Sequence, residues 1–329
     1  MKALVIFNPH AHSGETSQRI AATHNDILQH LQQSLKLDSA DWQETERPGH
    51  ATLLANEATQ SGYDYIFAGG GDGTINEVLN GIMSHTPNNA EHPIFGVLPF
   101  GTSNDFFAAL KAAEAAQKAP DPNQQTMPFD IGEVVFDDLK CYFCLTTSIG
   151  LLSWANEQYL EASHRFGRRF AHIPAAISAI LTYRFLPNAR ISENGKRFRP
   201  RRILALVVCN SPVIAGGIAL TPRAKINDGY LDVCIIKPVS LLRLLWLAIQ
   251  ITRKAHTQSR SVILERVTTM TVIAKTPLPI LIDGELIPEL ESKARRMVVT
   301  ALPAALRVVK PSLCDFDFSH SSPQAASIQ

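Results

Sequence analysis

Long apolar runs are scarce in this chain. The longest, VSLLRLLWLAIQI at residues 239–251, is interrupted by Arg243 and falls short of the roughly 18–20 residues that a membrane-spanning helix needs. No transmembrane anchor is therefore expected. The start, MKALVIFNPH, has one lysine and a short apolar run before Asn8, too little for the core of a secretory signal, and reads as a first strand. Cysteine is sparse as well: five residues, at 141, 144, 209, 234 and 314, are too few and too scattered to staple a small domain with disulfides, which points to a reducing cytosol. Cys141 and Cys144 form a C-x-x-C pair, but in the strand-like KCYFCLTT residues three apart face opposite sides. No second pair or neighbouring histidine completes a zinc site, and both read as core packing. Neither sign of charge is in excess, with 31 basic against 30 acidic residues and a net charge of +1, which argues against a general nucleic-acid binder and its strongly basic face.

The chain has ample material for folded cores. At 329 residues and 45% hydrophobic composition, the length suggests about two domains. Strand-like runs at 3–7, 40–45, 63–68 and 94–98 alternate with helical stretches at 15–37, 48–61, 74–84 and 103–117. That alternation is the pattern of a doubly wound parallel α/β domain. Its turns NPHAHSG, TERPGH, GGGDGT and FGTSND follow the carboxyl ends of the strands, the edge where such sheets bind ligands. Pro120, Pro122 and Pro128 in APDPNQQTMPFD break the pattern and read as a linker. Beyond it, short strand-like runs such as RRILALVVCNSP, GYLDVCIIKP and RRMVVTALP predict a mostly antiparallel, β-sandwich-like second domain, with helical insertions at 153–184 and 240–255. The expected division is residues 1–128, 129–312 and a loose tail at 313–329.

One stretch carries chemistry. FAGGGDGTINEVLNG (67–81) follows an apolar run and precedes Ile75, Val78, Leu79 and Ile82, spaced as one face of a helix. Ordered glycines cost conformational entropy and persist where the chain turns tightly or another molecule approaches the backbone. Thr74 and Glu77 fit a capping box that starts the helix, whose free N–H groups favour an anion such as phosphate. A P-loop is excluded because Thr74-Ile75 stands where Lys-Ser or Lys-Thr is needed, and the dinucleotide fingerprint fails at Asn76. Asp72 is either a favourable charge at a helix start or, beside phosphates, a partner of Mg²⁺ or a proton acceptor.

GGGDGTINEVLNG, LPFGTSNDF (98–106), NDGYLDV (227–233) and IDGE (282–285), in this order, resemble the diacylglycerol kinase catalytic-domain family, whose members include sphingosine, ceramide and bacterial lipid kinases. The resemblance spans roughly residues 1–310. It implies an NAD-kinase- or phosphofructokinase-like α/β domain, a β-rich lipid-substrate domain, and transfer of the γ-phosphoryl group of ATP to a lipid hydroxyl between them. By the matching positions, Asn8, Thr45, Gly70, Gly71, Asp72, Gly73, Thr74, Ile75, Asn76, Glu77 and Thr102 line the ATP site. Lys225, Asp228 and Tyr230 of KINDGY hold Mg²⁺, the first and last through main-chain carbonyls; read without the family, Asp228-Gly229 is a hairpin turn. Glu285 is the first choice of general base, with Asp72 the alternative, and IDGE by itself is also a hairpin signal.

Two departures remove positive charge. Phe107-Ala108 stands where many members have Ala-Arg, and Glu15 where a basic residue is common. His10 and His12 supply charge there only when protonated. A lipid kinase without an anchor is expected to be cytoplasmic and in peripheral contact with a membrane surface; a homodimer is left open, and the balanced charge leaves no nucleic-acid partner expected. GKRFRPRR (195–202) suits either anionic lipid or a charged sheet edge. SLLRLLWLAI either lies in a membrane interface or packs on the β domain, the second being the expected outcome. The alternatives are a kinase of a soluble metabolite such as NAD, and a nucleotide-binding protein without catalysis.

Overall fold

How apolar each strand is follows its place in the first sheet. Strands β1 (Lys2–Phe7), β3 (Tyr65–Gly70) and β4 (Ile94–Pro99) are buried along nearly their whole length, whereas β2 (Ser39–Glu44) is mostly exposed. The sheet order β2-β1-β3-β4, all parallel, explains this. A parallel strand inside the sheet is covered on both faces, and an edge strand is not. The computed structural model describes residues 1–11, 20, 22–85, 92–117, 121, 123–137, 139–155, 186–214, 217–286 and 294–314, with backbone alone at 186–188 and 285–286.

The crossover helices are α1 (His24–Leu35), α2 (His50–Gln60) and α3 (Asp72–Ser84). Each turns an apolar stripe to the sheet: Ile27, Leu31 and Leu35 on α1, and Ile75, Val78, Leu79 and Ile82 on α3. The stretch 15–37 is thus helical at 24–35, while residues 12–19 and 21, with His12 and Glu15, lie outside the described residues. The chain forms two compact units, one of residues 1–102, 114–127 and 307–329, the other of residues 103–113 and 128–306. Helix α4 (Asp105–Ala115) therefore belongs mainly to the second.

Hydrogen bonds hold the returning chain in the first unit. Arg307 donates to Thr126 Oγ1 from Nε (3.0 Å) and Nη2 (2.6 Å). Lys310 N donates to Gln125 O (2.9 Å), Lys310 Nζ donates to Asp121 O (3.1 Å), and Val308 pairs in parallel with Phe95. Of the tail, residues 315–329 lie outside the described residues, as do Pro120 and Pro122. Pro128, read above as part of a linker, sits inside strand β5 (Thr126–Phe136) at an exposed position.

The second unit is a pair of sheets. Strands β6 (Leu139–Phe143), β7 (Thr146–Gly150), β8 (Leu186–Glu193), β9 (Arg199–Ile203), β10 (Ala205–Cys209), β11 (Leu231–Ile236), β12 (Val262–Val267), β13 (Thr269–Ile273), β14 (Ile280–Ile282), β15 (Glu285–Leu286) and β16 (Arg296–Val309) follow in order. One sheet runs β12-β11-β10-β7-β14-β15, antiparallel throughout. The other joins β16, β13, β8 and β9, with β5 pairing β16 and β6. A single buried cluster draws side chains from both sheets, among them Phe143, Ile149, Leu206, Val233, Val272 and Met297. That shared interior makes the unit a sandwich. The opposite face of the β12-β11-β10-β7-β14-β15 sheet, with Val207, Cys209 and Cys234, is covered by helix α5 (Leu241–Thr252) through Leu247 and the partly buried Leu244 and Ile251. Strand β9 ends its sheet, so Arg199 and Arg201 line a sheet edge.

Candidate active site

Chain order reverses between β1 and β3: from β1 the chain passes to β2 on one side, and then to β3 on the other. At such a reversal the loops leaving the carboxyl ends diverge and open a crevice. Asn8, the first residue after β1, spans it. Its N–H donates to Gly69 O (2.9 Å), its Nδ2 donates to Thr74 Oγ1 (2.9 Å), and its Oδ1 accepts from His10 N (2.9 Å). Thr45, buried after β2, donates its N–H to Phe7 O (2.8 Å). After β4, Gly101 meets Gly71, where an added Cβ would stand 3.4 Å from Gly101 Cα. Four loops thus converge on one edge of the first unit.

The geometry corrects one expectation about the turn and narrows another. Helix α3 begins at Asp72 with Gly71 as N-cap, and its first hydrogen bond runs from Ile75 N to Gly71 O (3.0 Å). Thr74 and Glu77 accordingly form no capping box. Thr74 is buried inside the first turn and accepts from Asn8, while Glu77 turns to α2. Its carboxylate accepts from Gly49 N (3.0 Å) and Ala51 N (3.2 Å) and so caps that neighbouring helix. The glycines, too, are not there for left-handed backbone, since Gly69, Gly70 and Gly71 all lie outside it. Gly70 is demanded by closeness, because a Cβ there would stand 2.5 Å from Thr74 Oγ1 and 2.7 Å from Thr74 Cβ.

A glycine N-cap brings no side chain to the first-turn N–H groups. The N-terminus of α3 carries the helix's partial positive charge, with Asp72 in its first turn. Asp72 and Gly73 are half-buried in that turn and Thr102 is exposed after β4. Ile75 is fully buried, so what it presents at this edge is main chain alone. Asn76 accepts from Asn80 Nδ2 at both its main-chain oxygen (2.9 Å) and Oδ1 (3.1 Å).

In the second unit, Asp228 and Tyr230 precede β11. Asp228 is ion-paired with Arg266 (Nη2 to Oδ2, 2.5 Å) and accepts from Tyr230 N (3.3 Å). The Arg266 guanidinium also lies 4.4 Å from the centre of the Tyr230 ring and 3.8 Å from Asp232 Oδ2. Burial raises the Asp232 carboxyl above its ordinary range, against the opposing pull of Arg266. Among the described residues no group of three or more His, Cys, Asp or Glu side chains is placed to hold a metal ion. Asp228-Gly229 is not a two-residue hairpin, since β10 ends at Cys209.

Asp283-Gly284 does make such a turn. Both residues have positive φ, 45° and 87°, and Ile282 pairs with Glu285 across them, as a two-residue hairpin of the primed type requires. The Glu285 side chain lies outside the described atoms. Two acids missed by the sequence reading hold this turn and the KINDGY loop. Asp283 accepts from Leu145 N (2.8 Å) and Thr146 N (2.7 Å) at Oδ1 and from Cys144 N (2.8 Å) at Oδ2. Asp130, only 2% exposed, accepts from Gly229 N (2.5 Å) and Ala304 N (2.8 Å) and thereby secures the KINDGY loop. The available signal was an acid embedded in the apolar MPFDIGEVVF, because a buried carboxylate needs donors.

These features define a two-domain fold whose α/β unit brings four loops and the N-terminus of α3 together at its topological switch point. Residues 2–134 match the model of the diacylglycerol kinase catalytic domain, and residues 147–310 that of the YegS C-terminal NAD kinase beta sandwich-like domain. The chain is 30% identical over 290 residues to the diacylglycerol kinase of Staphylococcus haemolyticus (strain JCSC1435), covering 86% of this chain and 82% of that one. With the diacylglycerol kinase of Staphylococcus aureus (strain MRSA252) the identity is 29% over 291 residues, 86% of each chain. A crystal structure of a diacylglycerol kinase from Bacillus anthracis str. Sterne superposes with a TM-score of 0.63 over 94% of this chain and 96% of that one, at 17% identity. The chain belongs to the diacylglycerol kinase catalytic-domain family.

Proposed function

We propose that the protein is an ATP-dependent lipid kinase that moves the γ-phosphoryl group of ATP to a lipid hydroxyl. The observation that carries this reading is the convergence of Asn8, Gly70, Gly71 and Gly101 on the uncapped N-terminus of α3. Small residues there let a polyphosphate approach the main chain, and the helix end favours its charge. Asn8 keeps the first loop against Thr74, while Thr45, Asn76 and Thr102 add polar groups around it. Glu77 acts one step removed, by fixing the start of α2 beside this edge.

Magnesium enters with ATP, neutralises phosphate charge, and gives half-buried Asp72 a reason to stand beside phosphates. The second-unit assignment to Lys225, Asp228 and Tyr230 has oxygen donors of the kind magnesium takes. As arranged they do not fit the ion, because Arg266 holds the Asp228 carboxylate and would repel a divalent cation. No step is routed through that loop. Glu285 is assigned as the base that accepts the proton of the attacking hydroxyl, with the pinned Asp283 turn positioning it. The lipid is met at a membrane surface, reached from the cytoplasm; no helix among the described residues is long and apolar enough to cross a membrane.

The test is transfer of label from ATP, with Mg²⁺, to mixed micelles of diacylglycerol, phosphatidylglycerol, sphingosine and ceramide, run beside NAD. Label in a lipid supports the proposal; label in NAD alone, or binding without transfer, ends it. Glu285→Gln should lower turnover far more than ATP affinity, and wild-type turnover in that variant would pass the role of base to Asp72.

A further inference from the structure

Helix α5 is apolar on both sides. Leu244, Leu247 and Ile251 face the sheet, while Leu242, Trp246 and Ile249 on the far side are 81%, 55% and 45% exposed, with Leu245 between them at 47%. These four recur at i, i+3, i+4 and i+7, the stripe that a globular helix normally turns inward. The expectation that this segment simply packs on the β domain therefore covers half of it. Contiguous exposed apolar surface of this kind marks a docking site.

The charge of the stretch of chain that carries it selects the occupant. From residue 233 to residue 264 the chain has no acidic residue and five basic ones, Lys237, Arg243, Arg253, Lys254 and Arg260, and all five are exposed. In a two-fold dimer through this face the same basic rim would meet itself, which is repulsive. An anionic bilayer satisfies both features: apolar side chains enter the acyl boundary, tryptophan sits at headgroup level, and the basic rim meets lipid phosphate. At 12 residues the helix is about 18 Å long, well short of the roughly 30 Å hydrocarbon core. It can only lie in the interface plane.

We propose that α5 is the membrane-docking element of this protein and that its ligand is the surface of an anionic bilayer. The proposal takes its purpose from the lipid-kinase reading, but binding can be measured without turnover. The full chain is sedimented with vesicles of phosphatidylcholine alone and of phosphatidylcholine mixed with phosphatidylglycerol. Wild type should bind the mixed vesicles, less so in high salt, and Leu242→Ser/Trp246→Ser should weaken partitioning by about tenfold or more. Arg243→Glu/Arg253→Glu should weaken it comparably through the electrostatic part. Because these side chains are exposed, all variants should melt like wild type, and transfer to a short-chain diacylglycerol dissolved as monomer should stay unchanged while transfer to vesicle-borne lipid falls. Equal sedimentation of wild type and variants, or none by wild type, overturns the docking role and leaves the kinase reading to its own assay. A shift from dimer to monomer in light scattering, with vesicle binding intact, gives the face to a second copy and likewise overturns it. Vesicle binding lost in the variants, with no transfer to any lipid by wild type, upholds docking and ends the kinase reading.

Discussion

Replacing Gly70 by alanine isolates what the glycine turn is for. Its φ is not left-handed, so alanine meets no backbone strain, but its Cβ would stand 2.5 Å from Thr74 Oγ1, 2.7 Å from Thr74 Cβ and 3.0 Å from Thr74 Cγ2. Thr74 cannot swing away freely, being buried in the first turn of α3 and bonded to Asn8. Overpacking of this kind costs about 1–3 kcal/mol, and the strain falls on the helix end that would hold phosphate. Thr74→Gly removes all three clashing atoms, at a cost of about 0.3 kcal/mol for glycine in place of threonine in a helix and about 1 kcal/mol for the lost hydrogen bond. In urea unfolding, the double variant should therefore be more stable than the sum of the singles by about 1–3 kcal/mol. Gly71→Ala is the control, because its Cβ would reach only Gly101 Cα at 3.4 Å, ordinary contact. Stability should stay within about 1 kcal/mol of wild type, while ATP affinity in calorimetry falls. Additivity of Gly70→Ala and Thr74→Gly to within about 0.5 kcal/mol would refute the steric account, and undiminished ATP affinity in Gly71→Ala would refute the phosphate approach.

Three other outcomes are expected. Asp283→Ala strips the acceptor from three N–H groups and should destabilise the protein by about 3 kcal/mol or more, seen as a lower urea midpoint; a change under about 1 kcal/mol would mean the turn is held otherwise. Arg266→Ala frees Asp228 of its cation, so Mg²⁺ without ATP should raise its melting temperature more than that of wild type, and an equal rise in both would show that Arg266 does not compete with the ion. Burial pushes the Cys234 thiol from 9.0 up to about 12 and that of Cys209 higher still. The fold thus favours the protonated thiols, stability should fall as pH rises from about 9 towards 12, and Cys234→Ala should flatten that slope. At pH 8 a disulfide reagent should reach these two only after unfolding.

Local patterns in the sequence located much of this molecule. The buried runs of β1, β3 and β4, the stripe of α3 and the short strands beyond residue 128 are each visible in a few consecutive residues, because burial on one or both faces imposes a period on the chain. The glycine turn and the Asp283-Gly284 turn were legible for the same reason, since the conformation or the close approach they allow is paid for by the residues themselves.

Partners distant in the chain were decided only in three dimensions. Glu77 and Thr74 have the spacing of a capping box, yet the carboxylate went to the N–H groups of Gly49 and Ala51, and the hydroxyl to Asn8, because the loops after β1, β2 and β3 share one sheet edge. Asp130 and Asp283 looked like acids in strands and turns; their donors lie 99 and 174, and 137 to 139, residues away. The return of residues 307–314 to the first unit is likewise a matter of pairing, with Phe95 and Thr126. Helix α5 was readable as an apolar segment, but which of its two greasy faces met the sheet was not. Periodicity records that a side chain is apolar, and only the packed structure determines what covers it.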